Sequence, residues 1–284
     1  MDELTQPIED GLLMRDSGPW VKDKLNLLEG YMSTFATAMK RKNWSAFHYI
    51  DIMAGSGKNY IRDTGEIVLG SPLLALNQEI FTRYFFCEMT PEDYRALTRR
   101  VAAHQRGQKA KIYNGDANQK IEEICEEIDE VDRNRGQMWG SLNLAFVDPE
   151  GPEDLNWHTI HRLAQVNRMD MIINFPTSGI TRLFASENYE TVDKFFGTDE
   201  WRQNTLREEK AAVKRRRWID LYKRRLQPYG YHVVTSEDVS ALREYIARNS
   251  RNAQLYTLIF VSKHELGDKL WQGVLDYLKQ RRLF

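Results

Sequence analysis

Apolar residues recur at alternating spacings of three and four along Val21, Leu25, Leu28, Met32, Phe35 and Met39, the period of a helix with one buried face. This helix begins at about Ser17 and closes near Arg41-Lys42-Asn43, where basic side chains suit a helix C-terminus. The period then changes. Phe47 to Met53 reads as a strand running straight into Ala54-Gly55-Ser56-Gly57, and the order strand, turn, helix then recurs. Phe85-Phe86-Cys87 leads to a helix at Thr90-Pro91-Glu92, with an N-cap and a proline at the first helical position. Lys111-Ile112-Tyr113 leads to Asp116 and a helix from about Gln119 to Ile128, Leu142–Val147 to Asp148-Pro149, and Met169–Phe175 to Pro176. Mostly apolar strands separated by helices predict an α/β fold with a parallel sheet covered on both faces.

Leu255–Val261 is a further strand, and the β-rich stretch Tyr231 to Val234 before it is expected to pair with it antiparallel at one sheet edge. The polar helical region from about Ile180 to Gln227 is far longer than an ordinary connection, so it reads as an insertion. The predicted organisation is a helical extension over 1–44 and one α/β unit over 45–284 carrying that insertion at about 180–227. The stretch from Asn59 to Gly70 reads as an extended loop in the first crossover, either a lid or plain packing.

The 284 residues include 40 Lys plus Arg against 41 Asp plus Glu, a formal charge of −1, which excludes a uniformly basic nucleic-acid coat but leaves room for a local basic face. Two cysteines, Cys87 and Cys125, cannot build a disulfide framework or a Cys-rich zinc site. The first thirty residues mix charged and apolar side chains, so neither a signal peptide nor a spanning helix is expected, and the predicted location is cytoplasmic. His158 and His161 share a helix face without a third ligand, so no metal is expected there.

In an open parallel sheet, ligands bind beyond the carboxyl ends of the strands where strand order reverses. The polar residues just after each strand therefore carry the candidate chemistry. Gly55 and Gly57 permit a sharp turn and close backbone approach. Glu88 is placed to accept hydrogen bonds from a ribose diol, and equally suits a helix N-terminus beside Thr90. Asp116 can meet an exocyclic amine or cap the next helix. Gly55-Ser56-Gly57-Lys58 is not a phosphate loop, because Ile52 and Asn59 stand where that motif needs Gly and a hydroxyl.

Asp51 to Gly57 resembles the first motif of class I S-adenosylmethionine-dependent methyltransferases, in the Asp-x-Phe-x-Gly-x-Gly form found among enzymes that methylate exocyclic amines of nucleic-acid bases, with Met53 in place of Phe. Over nearly its whole length the chain is similar to the three-Cys-motif partner proteins, a bacterial family with a methyltransferase-like core. The resemblance rests on Gly18-Pro19-Trp20 with Lys24-Leu25, Asp51 to Gly57, Gly65-Glu66 with Gly70-Ser71-Pro72-Leu73, Phe146 to Gly151, Asn174 to Ile180, and Ser262-Lys263-His264. It implies a Rossmann-like seven-stranded sheet and S-adenosylmethionine as cofactor, held by Asp51, Ala54, Gly55, Gly57, Glu88, Asp116 and Ala117. Gly55 and Gly57 would face the methionine and ribose, Glu88 the ribose hydroxyls and Asp116 the adenine. It also implies a protein partner with three cysteines.

Asp148, Pro149 and Glu150 occupy the place of the Asp-Pro-Pro-Tyr segment of amine methyltransferases. Asp148 and the Pro149 carbonyl would accept from the two amine hydrogens, but Glu150 replaces the second proline and Gly151 the stacking aromatic that grips an extruded base. Trp157 and Phe175 are alternative stackers or core residues. A basic stretch with Lys210, Lys214, Arg215, Arg216, Arg217, Lys223, Arg224 and Arg225, interleaved with Trp218 and Tyr222, is a candidate surface for nucleic acid or a protein partner. Its bland alternative is a solvated helix neutralised by Glu208, Glu209 and Asp220. Three readings of function follow: methyl transfer to a nucleic-acid base, a non-catalytic partner of the same fold that binds protein or RNA, or methylation of a protein or small molecule.

Overall fold

The computed structural model describes residues 3–134, 136–203, 205, 210–232 and 244–281. A short strand β1 (Arg15–Ser17) precedes helix α1 (Trp20–Met39). Then come β2 (Ala46–Asp51), β3 (Lys58–Ile61), β4 (Glu66–Leu69), α2 (Ser71–Leu76), β5 (Arg83–Glu88), α3 (Pro91–Ala103), β6 (Ala110–Asn114), α4 (Ala117–Arg133), β7 (Ser141–Val147), α5 (Trp157–Gln165) and β8 (Met169–Phe175). The chain continues through α6 (Thr177–Ala185), α7 (Tyr189–Phe196), α8 (Glu200–Gln203), α9 (Ala211–Arg224), β9 (Glu244–Arg248), β10 (Gln254–Val261) and α10 (Glu265–Arg281).

The main sheet has seven strands in the order β6-β5-β2-β7-β8-β10-β9. The first five are mutually parallel, and β10 runs antiparallel to both its neighbours. This is the strand order of the Rossmann-like class I methyltransferase fold. The chain leaves β2 toward β5 and β6, then returns on the other side of β2 as β7, so the crevice where order reverses lies beyond Asp51 and Val147.

Central strands are buried on both faces, and alternate residues feed two separate cores. Ile50, Phe85, Ala145 and Ile173 pack under α4, α5 and the insertion helices. Tyr49, Phe86, Leu144 and Phe146 pack with Leu28, Tyr31 and Phe35 of α1 and Trp271 of α10. The apolar stripe on α1 is buried as its spacing predicts, and Lys24 lies on that same buried face. The helix starts at Trp20 and not Ser17, because Ser17 pairs with Ile61 in β1.

One local expectation is corrected. The stretch after the glycine loop is not an open loop: β3 and β4 form an antiparallel hairpin, and β1 adds to it in parallel as a third strand. Alternating Tyr60, Ile61, Ile67 and Val68 around Asp63-Thr64-Gly65 supply the pairing and the turn, with Gly65 at φ +71°. At the edge of the sheet β9 pairs antiparallel with β10. Tyr231 is buried in the first core and His232 donates its N–H to Ser262 O at 3.1 Å, while residues 233–234 lie outside the described residues. Of the short apolar run Tyr245-Ile246-Ala247 in β9, only Ala247 is buried, as suits an edge strand. The insertion is helical, and its aromatic side chains Phe184, Trp201, Trp218 and Tyr222 pack into or against the first core.

Candidate active site

The glycine loop is held from below and from the side. Ala54 N donates to Cys87 O at 2.9 Å, anchoring the loop to the end of β5. Gly55 and Gly57 adopt φ of +63° and +91°, the left-handed region that side chains disfavour. Gly70 N donates to Gly57 O at 2.7 Å, and a Cβ on Gly70 would lie 2.9 Å from that carbonyl. The motif residue Gly70 is therefore required by close backbone approach. On the far side, Arg100 Nη1 donates to Ser56 O at 2.7 Å. Arg100 is itself held by a two-point ion pair with Asp10, which also binds Lys58 Nζ at 2.7 Å. All three side chains are buried. Burial pushes the Asp10 carboxyl up, but the hydrogen bonds from Arg100 and Lys58 outweigh it and hold Asp10 at about 2. Lys58, the lysine of the apparent phosphate-loop motif, thus belongs to a structural ion cluster.

Glu88 meets its reading as a carboxylate at a helix N-terminus and also holds the glycine loop. Oε1 accepts from Thr90 N at 2.7 Å, at the start of α3, and Oε2 accepts from Gly55 N at 2.8 Å. Each carboxylate oxygen has a second lone pair, so Glu88 retains acceptor capacity toward the cleft. Asp116 caps α4, its Oδ1 accepting from Asn118 N at 2.8 Å, while Oδ2 has no hydrogen-bond partner among the described residues. Glu88, Asp116 and Ala117 line one cavity of about 270 Å³ with the apolar side chains of Ile52, Met53 and Met89. Asp51 lies beneath the loop, fully buried. Burial pushes its carboxyl up to about 7, against the pull of the Ser71 hydroxyl and with the push of the Asp148 charge.

A second cavity, about 320 Å³, lies on the other side of Arg15 and Glu150. Gly55, Gly57, Asp148 and Pro149 line it together with Lys24, Asn174, Trp20 and Tyr256. Arg15 forms an ion pair with Glu150, and both residues, with Met53 and Asp148, border the two cavities. At Asp148, Oδ2 accepts from Lys24 Nζ at 2.5 Å and Oδ1 accepts from Asn174 Nδ2 at 2.7 Å. Asn174 Nδ2 also donates to Pro149 O at 3.1 Å, which leaves Asn174 Oδ1 buried with no partner among the described residues. The two acceptors expected to hold a methyl acceptor's amine are therefore already engaged, and an unpaired amide oxygen stands beside them. Trp157 and Phe175 are core side chains, so neither replaces the missing stacking aromatic. Trp20 and Tyr256 line the cavity instead.

The basic stretch on α9 is corrected in part. Arg216 pairs with Asp220 and with Glu244 of β9, and Lys223 is buried against Glu244 at 3.0 Å. Both arginine and lysine tie the insertion to the sheet edge. Trp218 and Tyr222 are buried, so they offer no stacking surface. Lys214 stands over the Phe184 ring at 4.9 Å, Arg215 bonds to Ala211 O, and Arg217 and Arg224 are exposed. Glu208 and Glu209 lie outside the described residues. His161 bonds to Tyr229 and His158 pairs with Glu122, and no group of three metal-binding side chains occurs among the described residues. No described helix is long and apolar enough to cross a membrane.

Lys24 and Asn174 appeared in the sequence only within motif segments, and Arg15, Asp10 and Arg100 carried no signal there. Their roles depend on contacts spanning 124, 26, 90 and more positions.

No protein-family model matches the chain, and no curated protein matches it in sequence. Solved structures share its shape. Protein LPL1258 from Legionella pneumophila, of family DUF519, is 12% identical with a TM-score of 0.46, over 88% of this chain and 91% of that one. The O-methyltransferase from Bacillus cereus, in complex with SAH, is 11% identical with a TM-score of 0.45, over 89% and 84%. Cofactor-bound Rv0187 from MTB is 10% identical with a TM-score of 0.43, over 87% and 91%. These likenesses are of fold alone. Strand order, connectivity and the glycine loop at the switch point make this chain a class I methyltransferase fold.

Proposed function

We propose that the protein is an S-adenosylmethionine-dependent methyltransferase whose acceptor is an exocyclic amine of a nucleic-acid base. The observation that carries this reading is the convergence of Gly55, Glu88 and Asp116, from three strand ends, around the crevice where strand order reverses. The fit to the cofactor is chemical: an apolar slot bounded by Ile52, Met53 and Met89 suits adenine, and Glu88 suits a ribose diol. When bound, S-adenosylmethionine supplies an electrophilic methyl group on a sulfonium.

The chain's own residues have to hold the acceptor's lone pair in line and exclude water. An aromatic amine presents two hydrogens that need acceptors. Asn174 Oδ1 is one, and Asp148 is the other once the amine shares its carboxylate with Lys24. Trp20 and Tyr256 are the aromatic side chains available to flank a base. The segments Asp51 to Gly57, Phe146 to Gly151 and Asn174 to Ile180 support a relationship to the three-Cys-motif partner proteins, because all three border this crevice.

One observation favours a second reading, a partner protein of the same fold that binds protein or RNA without methyl transfer: Lys24 holds the carboxylate an amine would use. Isothermal titration with S-adenosylmethionine and S-adenosylhomocysteine, followed by a labelled methyl donor offered RNA, DNA and protein acceptors, separates them. Micromolar binding with label in a base supports the enzyme. Binding without transfer supports the partner protein, and no binding removes the cofactor assignment.

A further inference from the structure

Three arginines from three separate elements, Arg182 of α6, Arg215 of α9 and Arg248 of β9, line one open cavity of about 410 Å³. Its other lining residues include Ser178, Thr181, Asn252 and Gln254, with no carboxylate among them. This cavity and the candidate acceptor cavity share Ser178 in their walls, and Gln254 of one is followed by Leu255 of the other.

Among the described residues these charges have no acidic counter-ion. Arg215 donates to Ala211 O at 3.0 Å and to Gln254 Oε1 at 3.4 Å, and Arg248 donates to Asn252 O at 3.0 Å. None of the three arginines pairs with a carboxylate among the described residues. Burial and then the positive charge of Arg248 lower the pKa of Arg215, as expected of like charges brought together without an anion. The contrast with the same helix is sharp: Arg216 and Lys223 are neutralised by Asp220 and Glu244. A fold that neutralises part of a basic helix and brings Arg215 of that helix together with two distant arginines leaves a site for an external anion. Guanidinium groups bind phosphate through paired N–H donors.

We propose that Arg182, Arg215 and Arg248 bind the phosphodiester backbone of a nucleic acid and lead it to the acceptor cavity at Ser178. The inference rests on the reading of that cavity as a base site, which Trp20 and Tyr256 line. It moves the nucleic-acid surface from a single helix to the cleft between α6, α9 and β9. An acidic protein segment offers similar charge, but it lacks the base that the adjoining aromatic cavity would take.

The test is fluorescence anisotropy of the full chain with a labelled oligouridylate of about 12 nucleotides, titrated between about 50 and 200 mM salt. Each phosphate contact on a single strand contributes about 0.7 to the slope of log affinity against log salt, so three contacts contribute about 2. The variant R182Q/R215Q/R248Q should lose that slope of about 2, while R182K/R215K/R248K should keep it. Matching thermal melting curves show that both variants are folded. An unchanged slope in the glutamine variant overturns the site. Displacement of the oligonucleotide by polyglutamate at equal charge concentration, or by uridine monophosphate at equal nucleotide concentration, overturns its assignment to a polynucleotide. Titration with S-adenosylmethionine separates the two readings. Cofactor binding with an unchanged salt slope sinks only the arginine site, and a lost slope without cofactor binding sinks only methyl transfer.

Discussion

Lys24 Nζ lies 2.5 Å from Asp148 Oδ2 and 5.4 Å from the centre of the Tyr256 ring. A helix residue on an otherwise apolar face thereby reaches the carboxylate just beyond the C-terminal end of the central strand β7. The pair is mostly shielded from water, and Asn174 completes it from the other side. Replacing Lys24 with Met leaves Asp148 with one partner and frees it to rotate away from the acceptor position. Methyl transfer should fall by about 10- to 100-fold, the rate equivalent of about 1–3 kcal/mol, with cofactor affinity unchanged. A labelled-methyl assay with parallel calorimetry measures both. An unchanged rate would reduce Lys24 to a packing residue.

Glu88→Ala removes the acceptor for Gly55 N and for the proposed ribose diol. S-adenosylmethionine binding should weaken by about 1–3 kcal/mol. Calorimetric titration is the measurement, with circular dichroism to verify the fold, and equal affinity in the variant would remove Glu88 from the cofactor site.

Gly70→Ala places a methyl group 2.9 Å from the Gly57 carbonyl, where both partners are backbone and neither can yield cheaply. The expected loss is about 1–3 kcal/mol in urea unfolding, together with weaker cofactor binding as the glycine loop shifts. A variant as stable as the parent would show that the loop tolerates displacement.

Asp10→Asn leaves Arg100 and Lys58 buried without a counter-charge. Breaking such a cluster costs about 3–5 kcal/mol, and the Arg100 contact to Ser56 O should loosen with it. In the parent, Asp10 falls from 3.8 to about 2 on folding, so its contribution is present above 3.8 and is lost as pH drops toward 2. Acid unfolding of the parent and variant should converge over that window. Parallel stability curves there would contradict the assignment.

Asp51 acts with the opposite sign. Its carboxyl rises from 3.8 to about 7 on folding, so the folded protein holds the proton longer and stability falls as pH climbs from 3.8 through 7. The slope from this one group is at most about 1.4 kcal/mol per pH unit. Asp51→Asn carries no such proton, so the stability difference between variant and parent should shift in favour of the variant across that range. A constant difference from pH 4 to 8, measured by denaturant unfolding, would mean that Asp51 is ionised throughout.

The sequence by itself determined the elements whose signal is local: the α1 stripe, the core strands, the glycines after β2 and the acids after β5 and β6. Their burial and backbone demands repeat at helix or strand period, so neighbouring residues suffice to reveal them. The cofactor-side candidates belong to this class, since they stand at the ends of three strands, β2, β5 and β6. Tertiary structure alone decided the partners. Lys24 met Asp148, Arg15 met Glu150, and Asp10 met Arg100 because packed elements brought distant side chains together. It also sorted the basic helix: Glu244 neutralised Arg216 and Lys223, while Arg215 joined Arg182 and Arg248 at a shared cavity. A charge in a sequence carries no record of its counter-ion, because ion pairing depends on distance and burial in the folded chain.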